Sequence, residues 1–174
     1  MKTSDCEILI LPGPHAAEPD HWHARWARQI SSARALAWGT GDGVHDPRAL
    51  APHAERLVEE VAQAEKPVVL VAHDGGALVV LAAAPALTRG VAGAMLVAPH
   101  DPTDLIETAP LPFPTLLVAS RNDPIVPFER AEGIAREIGA TLVDAGESGH
   151  IDSQAGFGPW PEGLMRFAGF LKKL

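Results

Sequence analysis

Short runs of apolar residues alternate along the chain with longer segments whose apolar residues recur every three or four positions. The short runs are typical of strands buried on both faces, as in a parallel sheet. Four of them are clear, at residues 7–11, 68–72, 91–97 and 115–120. Two weaker runs, at 33–38 and 141–143, extend the predicted sheet to about six strands.

The longer segments predict five helices, at residues 21–30, 47–64, 76–84, 128–138 and 161–174. In the first, Trp22, Trp26 and Ile30 share one face, and Asp20 is the expected N-cap. The second is expected to begin at Pro47 with Asp46 as its N-cap. The third is apolar almost all round, as expected of a helix packed against a sheet.

Alternating strands and helices predict an α/β fold, with a mostly parallel sheet and helices on both faces. We expect a single domain over residues 1–174, because no linker or repeat interrupts the pattern. Ligands of such sheets bind beyond the carboxyl ends of the strands. The loops that follow the strands are therefore where functional residues are expected. The glycine-rich stretch 39–43 opens no clear helix and is interpreted as a loop.

Composition narrows the class of protein. The 174 residues include 22 acidic and 14 basic side chains, for a net charge of −8, and no basic run is present. This balance argues against a nucleic-acid or membrane surface and favours a small-molecule substrate. The single cysteine, Cys6, allows no intrachain disulfide. Together with the lack of a signal-peptide or membrane-spanning pattern, it leads us to expect a cytoplasmic protein.

The third strand runs into His73-Asp74-Gly75-Gly76 and then directly into a helix. A nucleophile elbow at this position needs small residues two places before and two places after the nucleophile, and Ala72 and Gly76 meet that need. The bare N–H of Gly75 would be a donor for an oxyanion. Asp74 could instead cap the helix, but a cap does not require these small neighbours.

The two partners of an elbow nucleophile follow it in the order acid, then histidine. Asp123 lies on the loop after the strand that ends at 120, and His150 follows Gly149 on the loop after the last strand. Alone, Asp123 could be a turn residue before Pro124, and His150 a surface histidine. Three residues in the expected order on three such loops are more specific than any one of them.

These motifs resemble the retinoblastoma-binding-protein-9-like (YdeN-type) serine hydrolases over nearly the whole chain. The resemblance rests on segments 11–13, 21–22 with Trp26, 71–73, 111–114, 120–124, 149–151 and 156–161. It implies a minimal α/β-hydrolase without a lid, with strand order 2-1-3-4-5-6. It also implies that Asp123 is the acid and His150 the general base.

The elbow departs from this family, which has serine followed by a larger apolar residue where this chain has Asp74 and Gly75. Asp152 likewise stands where the family would lead us to expect asparagine. The elbow looks more like that of haloalkane dehalogenases and epoxide hydrolases, which share the fold and use an aspartate nucleophile. Those enzymes normally carry a helical cap, and the insertion at residues 100–110 is too short for one.

An aspartate nucleophile suits displacement at a saturated carbon, which gives an alkyl ester of Asp74. Water activated by His150 would then attack this ester. The oxyanion would be held by Gly75 and by the turn 13–15, where Pro14 has no N–H and His15 is the favoured donor. With Asp74 and Asp123 both ionised nearby, the pKa of His150 should rise.

We therefore predict a cofactor-free hydrolase that opens epoxides or alkyl halides. The alternatives are an esterase-like enzyme acting by another route, or a degenerate hydrolase that binds a ligand or partner. In the last case Asp74 is an inactivating replacement. No zinc spacing, phosphate-binding loop or dinucleotide fingerprint is present.

Four further residues are candidates for the substrate pocket. His73 precedes the nucleophile, and His100 follows the fourth strand, where it could equally be part of an exposed turn. Phe157 and Trp160 could form an apolar wall, although most such aromatic residues are simply packed. The pair His21 and His23 should not chelate a metal, because positions two apart on a helix face different directions.

Overall fold

The structure is a computed structural model that describes residues 1–13, 18–36 and 47–174. Its sheet of six parallel strands has the order β2-β1-β3-β4-β5-β6, which confirms the predicted α/β-hydrolase topology. The strands are β1 Glu7–Leu11, β2 Ala33–Ala35, β3 Val68–Asp74, β4 Val91–Pro99, β5 Thr115–Ala119 and β6 Thr141–Asp144.

Helices cover both faces of the sheet. They are α1 Trp22–Gln29, α2 Pro47–Gln63, α3 Gly75–Ala83, α4 Phe128–Glu137 and α5 Pro161–Leu171. The apolar residues of α1 and α5 pack with one set of strand side chains, which includes Ile8 and Ile10. Those of α2, α3 and α4 pack with the alternate set, which includes Leu9 and Leu11. Because successive strand side chains point to opposite faces, both layers are buried by continuous apolar strands.

One detail of the predicted helices differs. The N-cap of α1 is His21 and not Asp20, because Nδ1 of His21 accepts a hydrogen bond from the backbone N–H of His23 at 3.5 Å. The carboxylate of Asp20 instead accepts a hydrogen bond from the guanidinium of Arg25 at 2.9 Å. The predicted cap Asp46 and the loop 39–43 lie outside the described residues.

Because the strands are parallel, their carboxyl ends meet at one edge of the sheet. The register pairs Asp74 at the end of β3 with Pro99 at the end of β4, which brings His100 beside the elbow. Residues 100–114, between β4 and β5, contain no helix or strand, in keeping with the prediction that this insertion is too short for a helical cap.

Within the described ranges, no helix combines the length and the apolar character that a membrane crossing requires.

Candidate active site

Asp74 stands on a sharp bend between β3 and α3. Its backbone has φ 49° and ψ −121°, a conformation that non-glycine residues rarely adopt and that is found mainly at functional sites. Although Asp74 occupies the N-cap position of α3, its side chain makes no capping hydrogen bond. The alternative interpretation of Asp74 as a simple helix cap is therefore wrong.

The small residue after the bend is required by a close backbone approach. A Cβ atom on Gly76 would lie 2.2 Å from the carbonyl oxygen of Leu11 and 2.8 Å from its carbonyl carbon. Since both atoms belong to the backbone of β1, no side-chain rotation could relieve this overlap. Gly76 thus allows α3 to start directly against the end of β1, as the elbow motif predicts.

The two carboxylate oxygens of Asp74 have different surroundings. Oδ1 lies 3.7 Å from Nε2 of His150 and 3.7 Å from Nδ1 of His100. It is buried and makes no hydrogen bond within the described protein. Oδ2 lies against Gly13, where an added Cβ would come within 3.0 Å of it. One oxygen therefore faces two imidazoles, and the other faces the loop after β1.

His150 is oriented by Asp123. Its Nδ1 lies 3.0 Å from Oδ2 and 3.1 Å from Oδ1 of that carboxylate. Asp123 is itself held by the backbone N–H of Ile125, which donates to Oδ1 at 2.9 Å. The Nδ1–H of His150 therefore points to Asp123, and Nε2 is directed towards Asp74. The structure brings together the three residues predicted from the loops.

Side chains from three elements fix the backbone of segment 148–151. Ser120 Oγ and Asn122 Oδ1 accept the N–H groups of residues 148 and 149 at 2.8 and 2.7 Å. His73 Nε2 donates to the carbonyl of residue 150 at 2.9 Å, and Trp22 Nε1 donates to that of residue 151 at 2.8 Å. Sequence reasoning assigned none of these four roles, although all four residues belong to the motifs that carry the family resemblance.

Three buried histidines line a small polar cavity beside Asp74. The rings of His21 and His23 stack with centroids 3.8 Å apart, and that of His73 lies 5.0 Å from His21. The expectation that His21 and His23 face different directions is wrong, because His21 precedes the helix. Among the described residues, no group of three or more potential ligands could hold a metal ion.

Burial keeps the inner histidines neutral. Desolvation, together with the neighbouring imidazoles His21 and His73, lowers the pKa of His23 to about 2. Burial also lowers the pKa of His73, despite its bond to the carbonyl of His150. A neutral His73 that donates through Nε2 has an unprotonated Nδ1. The cavity is therefore polar, but His23 and His73 add no positive charge beside Asp74.

His150 and Asp74 form an ion pair at neutral pH. Burial disfavours the imidazolium, but the contacts with Asp123 and Asp74 outweigh it and raise the pKa of His150 to about 9. Burial likewise opposes ionisation of Asp74, yet the contacts with His100 and His150 hold the pKa of its carboxyl well below its usual range. At neutral pH the site thus contains an ionised Asp74 and a protonated His150.

The other candidate residues are those predicted for the oxyanion hole and those predicted for the substrate pocket. Gly13 faces Asp74, and Gly75 is the buried first residue of α3. His15 lies outside the described residues. Of the pocket candidates, His73 lines the cavity beside Asp74, and His100 contacts Asp74 directly.

The aromatic pair departs from the predicted pocket wall. Trp160 stacks on Trp26 at 5.9 Å between centroids and, with it, lines a different cavity, next to α1. The ring of Phe157 lies edge-on to Trp160 at 6.2 Å and packs against the same apolar layer. These two residues stabilise the α1 face of the sheet, and neither lines the cavity that contains Asp74.

Comparison with known proteins identifies the relatives of this fold. Residues 8–169 match the sequence profile of the family described as serine hydrolase. A protein from Pectobacterium atrosepticum designated a YdeN-like hydrolase is 34% identical with a TM-score of 0.84, over 97% of this chain and 91% of that one. A Xanthomonas campestris protein, designated a hydrolase of the α/β superfamily, has 16% identity and a TM-score of 0.70 over 100% of both chains, a likeness of fold alone. No curated protein sequence matches the chain.

Proposed function

Since the chain belongs to the serine hydrolase family and is a hydrolase of the α/β-hydrolase superfamily, we propose that Asp74 replaces the serine as its nucleophile. The proposed reaction is the hydrolysis of an epoxide or alkyl halide through a covalent aspartyl ester. One observation carries the proposal. The buried Oδ1 of Asp74, on the strained elbow, lies 3.7 Å from Nε2 of a histidine that Asp123 orients.

The chemistry of the carboxylate selects the type of substrate. Attack of a carboxylate on an ester would give a mixed anhydride, which is more reactive than the ester it came from. Attack on a saturated carbon gives an ordinary alkyl ester, a stable covalent intermediate that water can hydrolyse. An aspartate at the elbow therefore favours substrates that react at a saturated carbon over the acyl substrates of a serine nucleophile.

The two carboxylate oxygens of Asp74 have different roles in the proposed reaction. Oδ1, which faces the imidazoles, attacks the substrate, and Oδ2 becomes the carbonyl oxygen of the ester. Because Oδ2 lies against Gly13, the loop after β1 borders the place where the oxyanion develops. The N-terminus of α3 begins at Gly75 and favours negative charge there.

The charge of His150 changes during the cycle. In the resting site the imidazolium, with a pKa of about 9, pairs with the Asp74 carboxylate and cannot act as a base. Formation of the ester removes the charge of Asp74, so the pKa of His150 falls and the neutral imidazole can activate water. The base therefore becomes available only after the first step.

Single turnover in heavy-oxygen water tests this proposal. With excess enzyme and a panel of epoxides and alkyl halides, we expect heavy oxygen in the peptide that contains Asp74, because water attacks the ester carbonyl. The Asp74→Asn variant should show neither turnover nor label. Turnover of these substrates without label would contradict the nucleophile and make Asp74 a base.

Esters complete the panel. The Asp74→Ser variant retains His150 and Asp123, so it should gain hydrolysis of an activated ester such as p-nitrophenyl acetate. Failure of the parent protein to turn over any substrate, together with failure of Asp74→Ser, would overturn the proposal in favour of a binding role.

A further inference from the structure

His100 is held against the elbow by the backbone of β4. It directly follows Pro99, which is in register with Asp74, and its N–H donates to the carbonyl of Asp74 at 3.4 Å. Its Nδ1 lies 3.7 Å from Oδ1, the same distance at which Nε2 of His150 approaches that oxygen. Two imidazoles from two different strand-end loops thus converge on one carboxylate oxygen.

We propose that His100 is the catalytic acid that protonates the departing oxygen when an epoxide opens at Asp74. This inference rests on the proposed function, and it narrows the substrate class to epoxides. A halide leaves as a stable anion and needs no proton, whereas an epoxide oxygen leaves as a strongly basic alkoxide. A site with a dedicated acid beside the nucleophile is therefore matched to the epoxide.

The geometry of ring opening places the oxygen near His100. In the hydroxy ester that forms, the new hydroxyl oxygen and Oδ1 of Asp74 are separated by only three bonds. Because Oδ1 attacks the carbon from the side opposite the departing oxygen, His100 would donate its proton past the reacting carbon, to the oxygen on its far side. His150 has a different role, the activation of water in the second step. Its Nδ1 is bonded to Asp123, and its Nε2 must then face the attacking water.

The step balances without a further reactant. An electron pair of Oδ1 forms the bond to carbon, the carbon–oxygen bond of the ring breaks, and the departing oxygen takes a proton from His100. Once the ester has formed, His150 releases its own proton to solvent; water then hydrolyses the ester, with its proton passing to His150, and the diol leaves. The side chain of His100 is 27% exposed, against 6% for His150, so His100 can regain its proton from solvent.

The carboxylate that follows His100 in the sequence belongs to a separate ion-pair network. The carboxylate of the adjacent Asp101 forms an ion pair with Arg130, whose Nε lies 3.0 Å from its Oδ2. Arg130 also pairs with Glu137 at 2.6 Å, so this network turns away from the elbow. The acid and the nucleophile therefore face each other without a competing carboxylate from the following residue.

The test uses a background in which the ester accumulates. In the His150→Gln variant the second step is blocked, and formation of the adduct on Asp74 can be timed by intact-protein mass spectrometry. Styrene oxide is compared with 2-bromoethylbenzene, which has the same carbon skeleton but loses bromide. Adding His100→Gln should slow the reaction with the epoxide by about 100-fold or more and the reaction with the bromide by less than about 5-fold.

Controls separate a chemical role from a structural one. His53→Gln on α2 in the same background is the matched control and should change neither rate. His100→Asn provides a second replacement, and thermal unfolding of each variant confirms that it is folded. Equal losses with both substrates would overturn the inference, because they would show that His100 only positions Asp74.

The remaining outcomes are also decisive. An unchanged rate with the epoxide after loss of His100 would overturn its role as acid. Reaction of the His150→Gln variant with the bromide but not with the epoxide would assign the acid to His150 instead. No adduct from either compound in that variant would reject the proposed nucleophile itself, a result distinct from failure of His100 alone.

Discussion

At the scale of single residues, the charge state of the site depends on one carboxylate. Asp74 contacts two imidazoles, and His150 contacts two carboxylates, so each group changes the ionisation of the others. Because the site is buried, these contacts are weakly screened by solvent. Removing the charge of Asp74 therefore imitates the proposed covalent intermediate without any substrate.

We expect this change to be visible by NMR. In the parent protein His150 should titrate with a pKa of about 9 and be protonated at neutral pH. In Asp74→Asn its pKa should be lower by about 1 or more, because one of its two carboxylate partners becomes neutral. Titration of the imidazole ring signals measures both values. A neutral His150 in the resting parent protein at pH 7 would contradict the proposed cycle.

The sequence predicted the triad because each member follows a strand. Asp74, Asp123 and His150 lie on strand-end loops in the expected order, and parallel strands bring such loops to one edge. The stacking of His21 on His23 was not predictable in the same way. It depends on His21 being the cap of α1 and not part of its first turn, a difference of one residue that the sequence pattern does not resolve.

At the scale of secondary-structure elements, the elbow depends on three of them, β1, β3 and α3. The start of α3 packs against the last residue of β1, while β3 delivers Asp74 to the bend. The contact leaves no room for a side chain at position 76. The position of Asp74 therefore depends on how closely a helix can approach a neighbouring strand.

Two glycine substitutions test this dependence. Gly76→Ala should lower the free energy of unfolding by about 3 kcal/mol or more, because its Cβ would overlap the backbone of Leu11. Gly169→Ala on α5 is the control, since nothing lies within 4 Å of its Cβ. It should stabilise the protein by about 0.5–1 kcal/mol. Urea unfolding measures both, and equal effects would contradict the close approach.

The strands were predicted better than their ends. Continuous apolar runs identified β1, β3, β4 and β5, because both faces of these strands are buried. The edge strands are weaker signals: β2 ends at Ala35 and does not include Leu36, whereas the last two residues of the predicted run, 37 and 38, lie outside the described residues. Strand β3 continues to Asp74 because its last residues pair with β4, a contact between distant segments that local pattern does not contain.

At the scale of the whole molecule, the ion pair links stability to pH. The pKa of His150 is raised above its ordinary value of 6.5 to about 9 on folding, so the folded state binds the proton more tightly than the unfolded chain. Its contribution is complete below pH 6.5 and is lost as the pH rises through 9. Asp74, whose pKa is lowered from 3.8, contributes above pH 3.8 and loses its contribution as the pH falls further.

We therefore expect the free energy of unfolding to fall by on the order of 2–3 kcal/mol more in the parent protein than in His150→Gln between pH 6.5 and 9. Urea unfolding of both proteins across this range measures the difference. Parallel curves would show that His150 has an ordinary pKa in the folded protein. The two proteins should respond alike to added denaturant at each pH, since their buried surfaces are the same.

The side chains that fix segment 148–151 have a kinetic consequence. Four hydrogen bonds, from β3, α1 and the loop after β5, fix the backbone of the segment that carries His150. A base that is aligned before the substrate arrives needs no closing movement to reach its working position. The rate of turnover should then be limited by the chemical steps. Raising the viscosity of the solvent with sucrose should therefore leave the turnover rate unchanged.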